Sequence, residues 1–250
     1  MTDGRQHRVI RMSSEHTVKA FTEKLDALSS SIAVMGGMAE AQLADAVEAI
    51  AKRDTARAEN AVGGDKRIDD LQVEIEDRAL KLLALRQPMA VDLRETLAAI
   101  KIASELERIG DLAKNIAKRA IVLNREPPIR LTQSLARMGK QSLAQLKRVL
   151  DAYSNRDATA AESVWRMDGE IDEMYNSLFR ELLTYMMEDP RTIGLCTHLL
   201  FVAKNIERSG DHATNIAEVV FHMVSGGHLA MERPKSDHTS ETNVPFEGRA

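Results

Sequence analysis

Two pairs of acids, each four residues apart, recur in both halves of the 250-residue chain. Glu107 with Asp111 matches Glu207 with Asp211, and upstream Asp65 with Asp69 matches Asp168 with Asp172. On a helix, residues i and i+4 share a face, so each pair sets two carboxylates side by side. Asn115 and Asn215 extend the downstream stripes by one more turn. Like charges at this spacing disfavour a bare helix by roughly 0.2–0.5 kcal/mol. Gathering them twice suggests a counter-cation. All-oxygen ligation suits hard divalent ions such as Mg²⁺, Ca²⁺ or Mn²⁺, and carboxylates also take iron or zinc. The competing reading is a solvated acidic face neutralised by Arg108 and Arg208.

The elements that position these acids must be helices. Aromatic residues are only 4% of the chain against 44% hydrophobic, and Ala, Leu, Glu, Lys and Met are abundant. From Phe21 the apolar residues Leu25, Leu28, Ile32 and Met35 follow in alternating steps of four and three, the seam of a packed bundle. Ile102, Leu106, Ile109, Ala113, Ile116, Ala120 and Leu123 repeat it. Pro88, Pro127, Pro128 and Pro190 mark turns, because proline breaks a helix interior. Asp54 and Asp157, each after a basic residue, mark two further breaks as helix N-caps. This predicts an all-α fold of six long antiparallel helices: 15–53, 55–86, 91–124, 130–154, 158–187 and 191–225. Residues 1–14 and 226–250 are expected to be disordered tails.

The chain also repeats itself. Residues 103–117 and 203–217 share nine of fifteen identities at an offset of 100. Upstream the offset is 103, matching Met35-Gly36 to Met138-Gly139 and Gln42-Leu43 to Gln145-Leu146. The three-residue difference is absorbed most cheaply in a hairpin turn. Residues 15–124 and 130–225 thus read as two tandem copies of one three-helix bundle. Residues equidistant from a hairpin turn lie level. Asp69 with Glu107 and Asp65 with Asp111 centre on Pro88, and Asp172 with Glu207 and Asp168 with Asp211 centre beside Pro190. Each hairpin should therefore gather four carboxylates. With Leu106 and Ile109 on the seam, the cluster is expected on the bundle surface, not in its core. Gly110 and Gly210, mid-helix, suggest close packing beside it. Met35, Met138, Met186 and Met187 read as core fillers, and Cys196 as a buried thiol.

Charge and motifs narrow the function. Net charge is -4, which argues against a non-specific nucleic-acid binder. A single cysteine excludes an intrachain disulfide and suggests a reducing compartment. No secretory leader or membrane-length apolar run is evident, so a cytoplasmic protein without direct membrane insertion is expected. No phosphate-loop, His-Glu-x-x-His or nucleophile-elbow motif is present. A di-iron carboxylate enzyme would want Glu-x-x-His, which neither Glu107 nor Glu207 provides. That enzyme and a metal-free structural scaffold are the alternative readings.

Glu-Arg-Ile-Gly-Asp at 107–111 and Glu-Arg-Ser-Gly-Asp at 207–211, each followed by Asn-Ile, resemble the duplicated signature of the PhoU family. Met35-Gly36-Gly37-Met38, Arg86-Gln87-Pro88, Asp92-Leu93-Arg94 and Thr184-Tyr185-Met186-Met187-Glu188-Asp189 are similar to its proteobacterial members. The resemblance covers about residues 15–225. It implies a non-enzymatic negative regulator of the phosphate-starvation response. It further implies partners: the ATPase subunit of the phosphate ABC transporter and a membrane sensor histidine kinase. A homodimer is expected, and attachment to the inner membrane only through partners. Family members carry metal clusters on such acid stripes, which map here to Glu107, Asp111, Glu207 and Asp211. Asp65, Asp69, Asp168 and Asp172 join them by the hairpin count. The ion is one of Mg²⁺, Mn²⁺, Fe²⁺ or Zn²⁺.

Overall fold

The two capping aspartates act as their positions suggest. Asp54 Oδ1 accepts the Arg57 N–H at 3.0 Å, and Asp157 Oδ1 accepts that of Ala160 at 3.0 Å. The residues before them, Arg53 and Arg156, take left-handed φ values of 55° and 51°, the conformation that ends a helix. These arginines are themselves matched by the 103-residue offset.

The computed structural model describes residues 3–85, 90–127 and 131–229, with side chains for 21–84, 90–127 and 131–229. All regular structure among them is helical. The helices are α1 (Asp3–Lys52), α2 (Thr55–Leu85), α3 (Ala90–Leu123), α4 (Thr132–Asn155), α5 (Ala158–Arg166), α6 (Asp168–Glu188) and α7 (Ile193–Ser225). A 3-10 turn, Pro190–Thr192, precedes α7 and is capped by Asp189. Helix α1 begins at Asp3, upstream of the expected start, so the backbone of 3–14 continues the helix. The turns expected at Pro88 and Pro128, and the tail from residue 230 on, lie outside the described residues.

The expected fifth helix, 158–187, is broken at Met167 into α5 and α6. Hydrogen bonds tighten there to the 3-10 pattern, with Met167 N–H on Val164 O at 3.1 Å and Glu170 N–H on Met167 O at 3.2 Å. Gln145 Nε2 also donates to Met167 O, at 3.0 Å, holding the kink from α4. The six-helix plan survives with its fifth member kinked.

Helices α1–α3 form one bundle and α4–α7 the other, joined where α3 packs on α7 and α1 on α4. The seam residues Leu28, Ile32, Met35, Ile102, Leu106 and Ile109 are all buried, as their spacing predicted. The α1–α4 contact is reciprocal. A Cβ on Gly36 would stand 2.6 Å from Leu150 Cδ2, and one on Gly139 would stand 2.6 Å from Val47 Cγ1. Positions 36 and 139, and 47 and 150, are matched by the same offset of 103. The two copies therefore meet about a local two-fold axis, each offering a glycine to the other's branched side chain. The three-residue shortening of copy two falls at its hairpin, where α7 starts at Ile193, the match of Leu93, whereas α3 starts at Ala90.

Candidate functional site

Each acid group is positioned by a glutamine, an isoleucine and a glycine. A Cβ on Gly110 would lie 3.1 Å from Ile68 Cδ1 and 3.2 Å from Gln42 Oε1. One on Gly210 would lie 2.8 Å from Ile171 Cδ1 and 3.3 Å from Gln145 Oε1. Gln42 Nε2 donates to Ala61 O at 2.8 Å, and Gln145 holds Met167 O as described. Close packing at both glycines, expected from sequence, thus fixes how α2 lies on α3 and α6 on α7. The matched glutamines were visible as a repeat, but nothing in their spacing showed that they clamp the hairpin.

The hairpin count sets the acids near one another, since Asp111, Asp69 and Asp65 all act on Glu107, but it does not give the direct partner of one acid in each copy. Asp65 ion-pairs with Lys114, and Asp168 accepts from Thr214 Oγ1 at 2.9 Å. Both partners lie three residues beyond the acid expected opposite, at 111 and 211. Helical side chains tilt toward their own N-terminus. Across an antiparallel pair this brings a side chain on the first helix to a residue farther from the turn on the second. A count made on backbone levels omits that tilt.

Burial also departs from expectation. Asp65, Asp168, Asp172 and Glu207 are buried, at 5%, 3%, 3% and 4% exposure. Asp69, Glu107, Asp111 and Asp211 are half-buried. The acids line the groove between paired helices and are not confined to the outer surface. A seam position decides contact with the third helix only; the α2–α3 and α6–α7 contacts cover the neighbouring stripe.

The electrostatics follow. Burial pushes the Asp69 carboxyl above its ordinary value, and neighbouring Asp65 adds to the rise. Burial, then Asp111, Asp69 and Asp65, do the same to Glu107. Lys114 answers this charge in copy one, bonding Asp65 and donating to Asp111 Oδ1 at 3.2 Å. Copy two has Thr214 in that place and Lys204 instead, which donates to Glu207 Oε1 at 2.9 Å. Glu207 Oε2 is buried without a hydrogen-bond partner. Burial drives the Glu207 carboxyl up to about 7 despite Lys204, with Asp211 and Asp172 contributing. Neither lysine was singled out from sequence, although each lies three residues from an acid of its stripe.

Among the described residues, no three His, Cys, Asp or Glu side chains converge into a ready-made cage for an ion. The donors are oxygens of the kind a hard cation takes, but as placed they do not close a coordination shell around one. Asn115 is exposed on the stripe, and Asn215 is half-buried. Asn215 Nδ2 donates to Glu105 Oε2 at 3.0 Å, and His212 Nδ1 shares that oxygen at 2.7 Å. This polar cluster joins α7 to α3. Burial raises the Glu105 carboxyl, but the His212 and Asn215 bonds outweigh it and hold the group below its ordinary value. His212 directly follows Asp211 in the sequence, but nothing in that spacing points to Glu105, which lies in the other bundle. Met187, expected in the core, is 66% exposed, while Cys196 is buried as expected.

These features meet known proteins at family level. Residues 32–120 and 135–220 each match the PhoU domain model. A Caulobacter vibrioides protein called phosphate-specific transport system accessory protein PhoU homolog is 56% identical over 229 residues, 91% of this chain and 100% of its own. The crystal structure of PhoU from Pseudomonas aeruginosa aligns with a TM-score of 0.81 at 38% identity, over 83% of this chain and 100% of its own. That of the phosphate transport system regulatory protein PhoU from Streptococcus pneumoniae aligns at 0.77 and 30% identity, over 84% and 100%. With two matching domains, whole-length relatives and this duplicated helical architecture, the chain belongs to the PhoU family.

Proposed function

We propose that this protein is a non-enzymatic regulator of phosphate uptake that represses the phosphate-starvation response when phosphate is plentiful. It does so by linking the ATPase subunit of the phosphate ABC transporter to a sensor histidine kinase. The observation that carries this reading is similarity along nearly the whole chain to proteins named for phosphate-specific transport accessory and regulatory roles. None of the described helices is long and apolar enough to cross a membrane, and attachment to the membrane through partners is part of the same proposal. Action from the cytoplasm, as a homodimer, belongs to the same proposal. The test is a deletion strain carrying a phosphate-scavenging reporter. Expression in phosphate-rich medium is the expected result, and silence there refutes the reading.

The proposal includes a divalent ion, one of Mg²⁺, Mn²⁺, Fe²⁺ or Zn²⁺, on each hairpin. Glu207, Asp211 and Asp172 would hold it in copy two, and Glu107, Asp111 and Asp69 in copy one, with Asp168 and Asp65 behind them. Bound charge would replace carboxylate repulsion with attraction and brace the two helices. A second reading, a scaffold without metal, is favoured in copy one by Lys114, whose ammonium already bridges Asp65 and Asp111.

A further inference from the structure

The near two-fold relation between the copies exposes one place where they differ. Across the α3–α7 contact, Arg119 Nη1 meets His198 Nδ1 at 3.2 Å, and its guanidinium lies 4.1 Å over the Phe201 ring. The offset of 100 maps these three residues onto Val219, Ala98 and Lys101 at the opposite end of the same contact. Smaller side chains at two of the three positions leave a cavity there of about 220 Å³. Where one copy has a stacked plug, the other has a hole.

The hole has an apolar floor of Leu97, Ala98 and Val219, one carboxylate, and four cationic or N–H-bearing side chains. Arg94 and Lys101 line it from α3, and His222 and His228 from α7 and the chain just beyond. Gly226 makes this wall possible. Its φ of 73° ends α7 and turns the chain back over Arg94, where a side chain would be strained. His228 then stacks on His222 with ring centroids 4.6 Å apart, and His222 Nδ1 lies 3.0 Å from Gly227 O. Arg94 Nε is buried and lacks a hydrogen-bond partner. The carboxylate on the lining, Glu218, accepts from Trp165 Nε1 at 2.9 Å.

We infer that this cavity, formed by Arg94, Lys101, His222 and His228, binds a small tetrahedral oxyanion of the inorganic phosphate type. A guanidinium offers paired donors matched to phosphate oxygens, and an ammonium adds a point charge. The inference goes beyond the regulatory and metal readings and depends on neither, because it concerns what the purified protein binds.

Isothermal titration of the full chain in chelator with inorganic phosphate tests it, with sulfate and phenyl phosphate as separate titrants. Saturable phosphate binding is expected, weakened at least about tenfold by Arg94→Gln, the scale of one lost charge-assisted contact. Lys101→Phe, which carries over the side chain of the matched position, should close the cavity and abolish binding while the melting temperature holds. His228→Ala lies outside every helix and supplies a reading should Arg94→Gln fail to fold. Sulfate competing with phosphate supports a site that reads oxyanion charge. Binding of phenyl phosphate with no binding of free phosphate overturns the inference in favour of a phosphorylated macromolecule. It is also overturned by the absence of saturation up to about 10 mM, the weak end of the affinity scale. Phosphate binding left unchanged by both Lys101→Phe and His228→Ala overturns it as well.

Discussion

Glu207 carries the largest consequence of a single side chain. Its carboxyl, ordinarily near 4.5, is pushed up to about 7 by burial, against Lys204 and with Asp211 and Asp172. The folded chain therefore retains a proton that the unfolded chain releases between those values. Without metal, stability should fall as pH rises from about 4.5 to about 7 and level off above that. Glu207→Gln removes the titrating group and should flatten this part of the profile. Thermal midpoints of chelated wild type and variant, taken across that range, decide the matter; parallel profiles would contradict it. Lys114 makes the opposite contribution in copy one. Lys114→Met should lower stability by leaving buried Asp65 without its ammonium.

At the scale of helices, the glycines divide into two kinds. A Cβ on Gly139 meets Val47 Cγ1 at 2.6 Å, whereas one on Gly37 finds nothing within 4 Å. Gly139→Ala should therefore force α1 from α4 and cost about 1–3 kcal/mol. Gly37→Ala should gain up to about 1 kcal/mol from helix propensity. Urea denaturation of the two variants gives both signs in one experiment. The paired helices are also where metal would show its effect. An ion bridging α6 and α7 should raise stability by about 2.7 kcal/mol at a hundredfold excess over Kd. Asp111→Asn combined with Asp211→Asn should remove most of that gain. A wild-type melting point that no ion lifts above its chelated value leaves the acids as an internally neutralised groove.

For the whole molecule, the decisive contact is that of α3 with α7. Glu105 joins His212 and Asn215 across it, and Arg119 joins His198 and Phe201. The core runs continuously through both bundles. The two copies should accordingly unfold together, in one transition with equal calorimetric and van't Hoff enthalpies. Glu105→Ala removes the acceptor that His212 and Asn215 share across this contact and should cost about 1–3 kcal/mol. Two resolved transitions in calorimetry would show instead that the bundles are independent units.

Sequence alone determined the helical class, the duplication, the capping aspartates and the core seam, because each depends on neighbours within a few residues or on direct self-comparison. The seam from Leu25 to Met35 and the caps at Asp54 and Asp157 needed no third dimension. The acid pairs were legible for the same reason. The kink at Met167 was not, because Gln145 on another helix helps to hold it. Nor was the slip of Asp65 toward Lys114, which follows from side-chain tilt between antiparallel helices. The burial of Glu207, the reach of Glu105 to His212 and the open counterpart of the Arg119 plug were decided only in the tertiary structure. Each depends on which face of one bundle meets the other, and no spacing along a single helix encodes that contact.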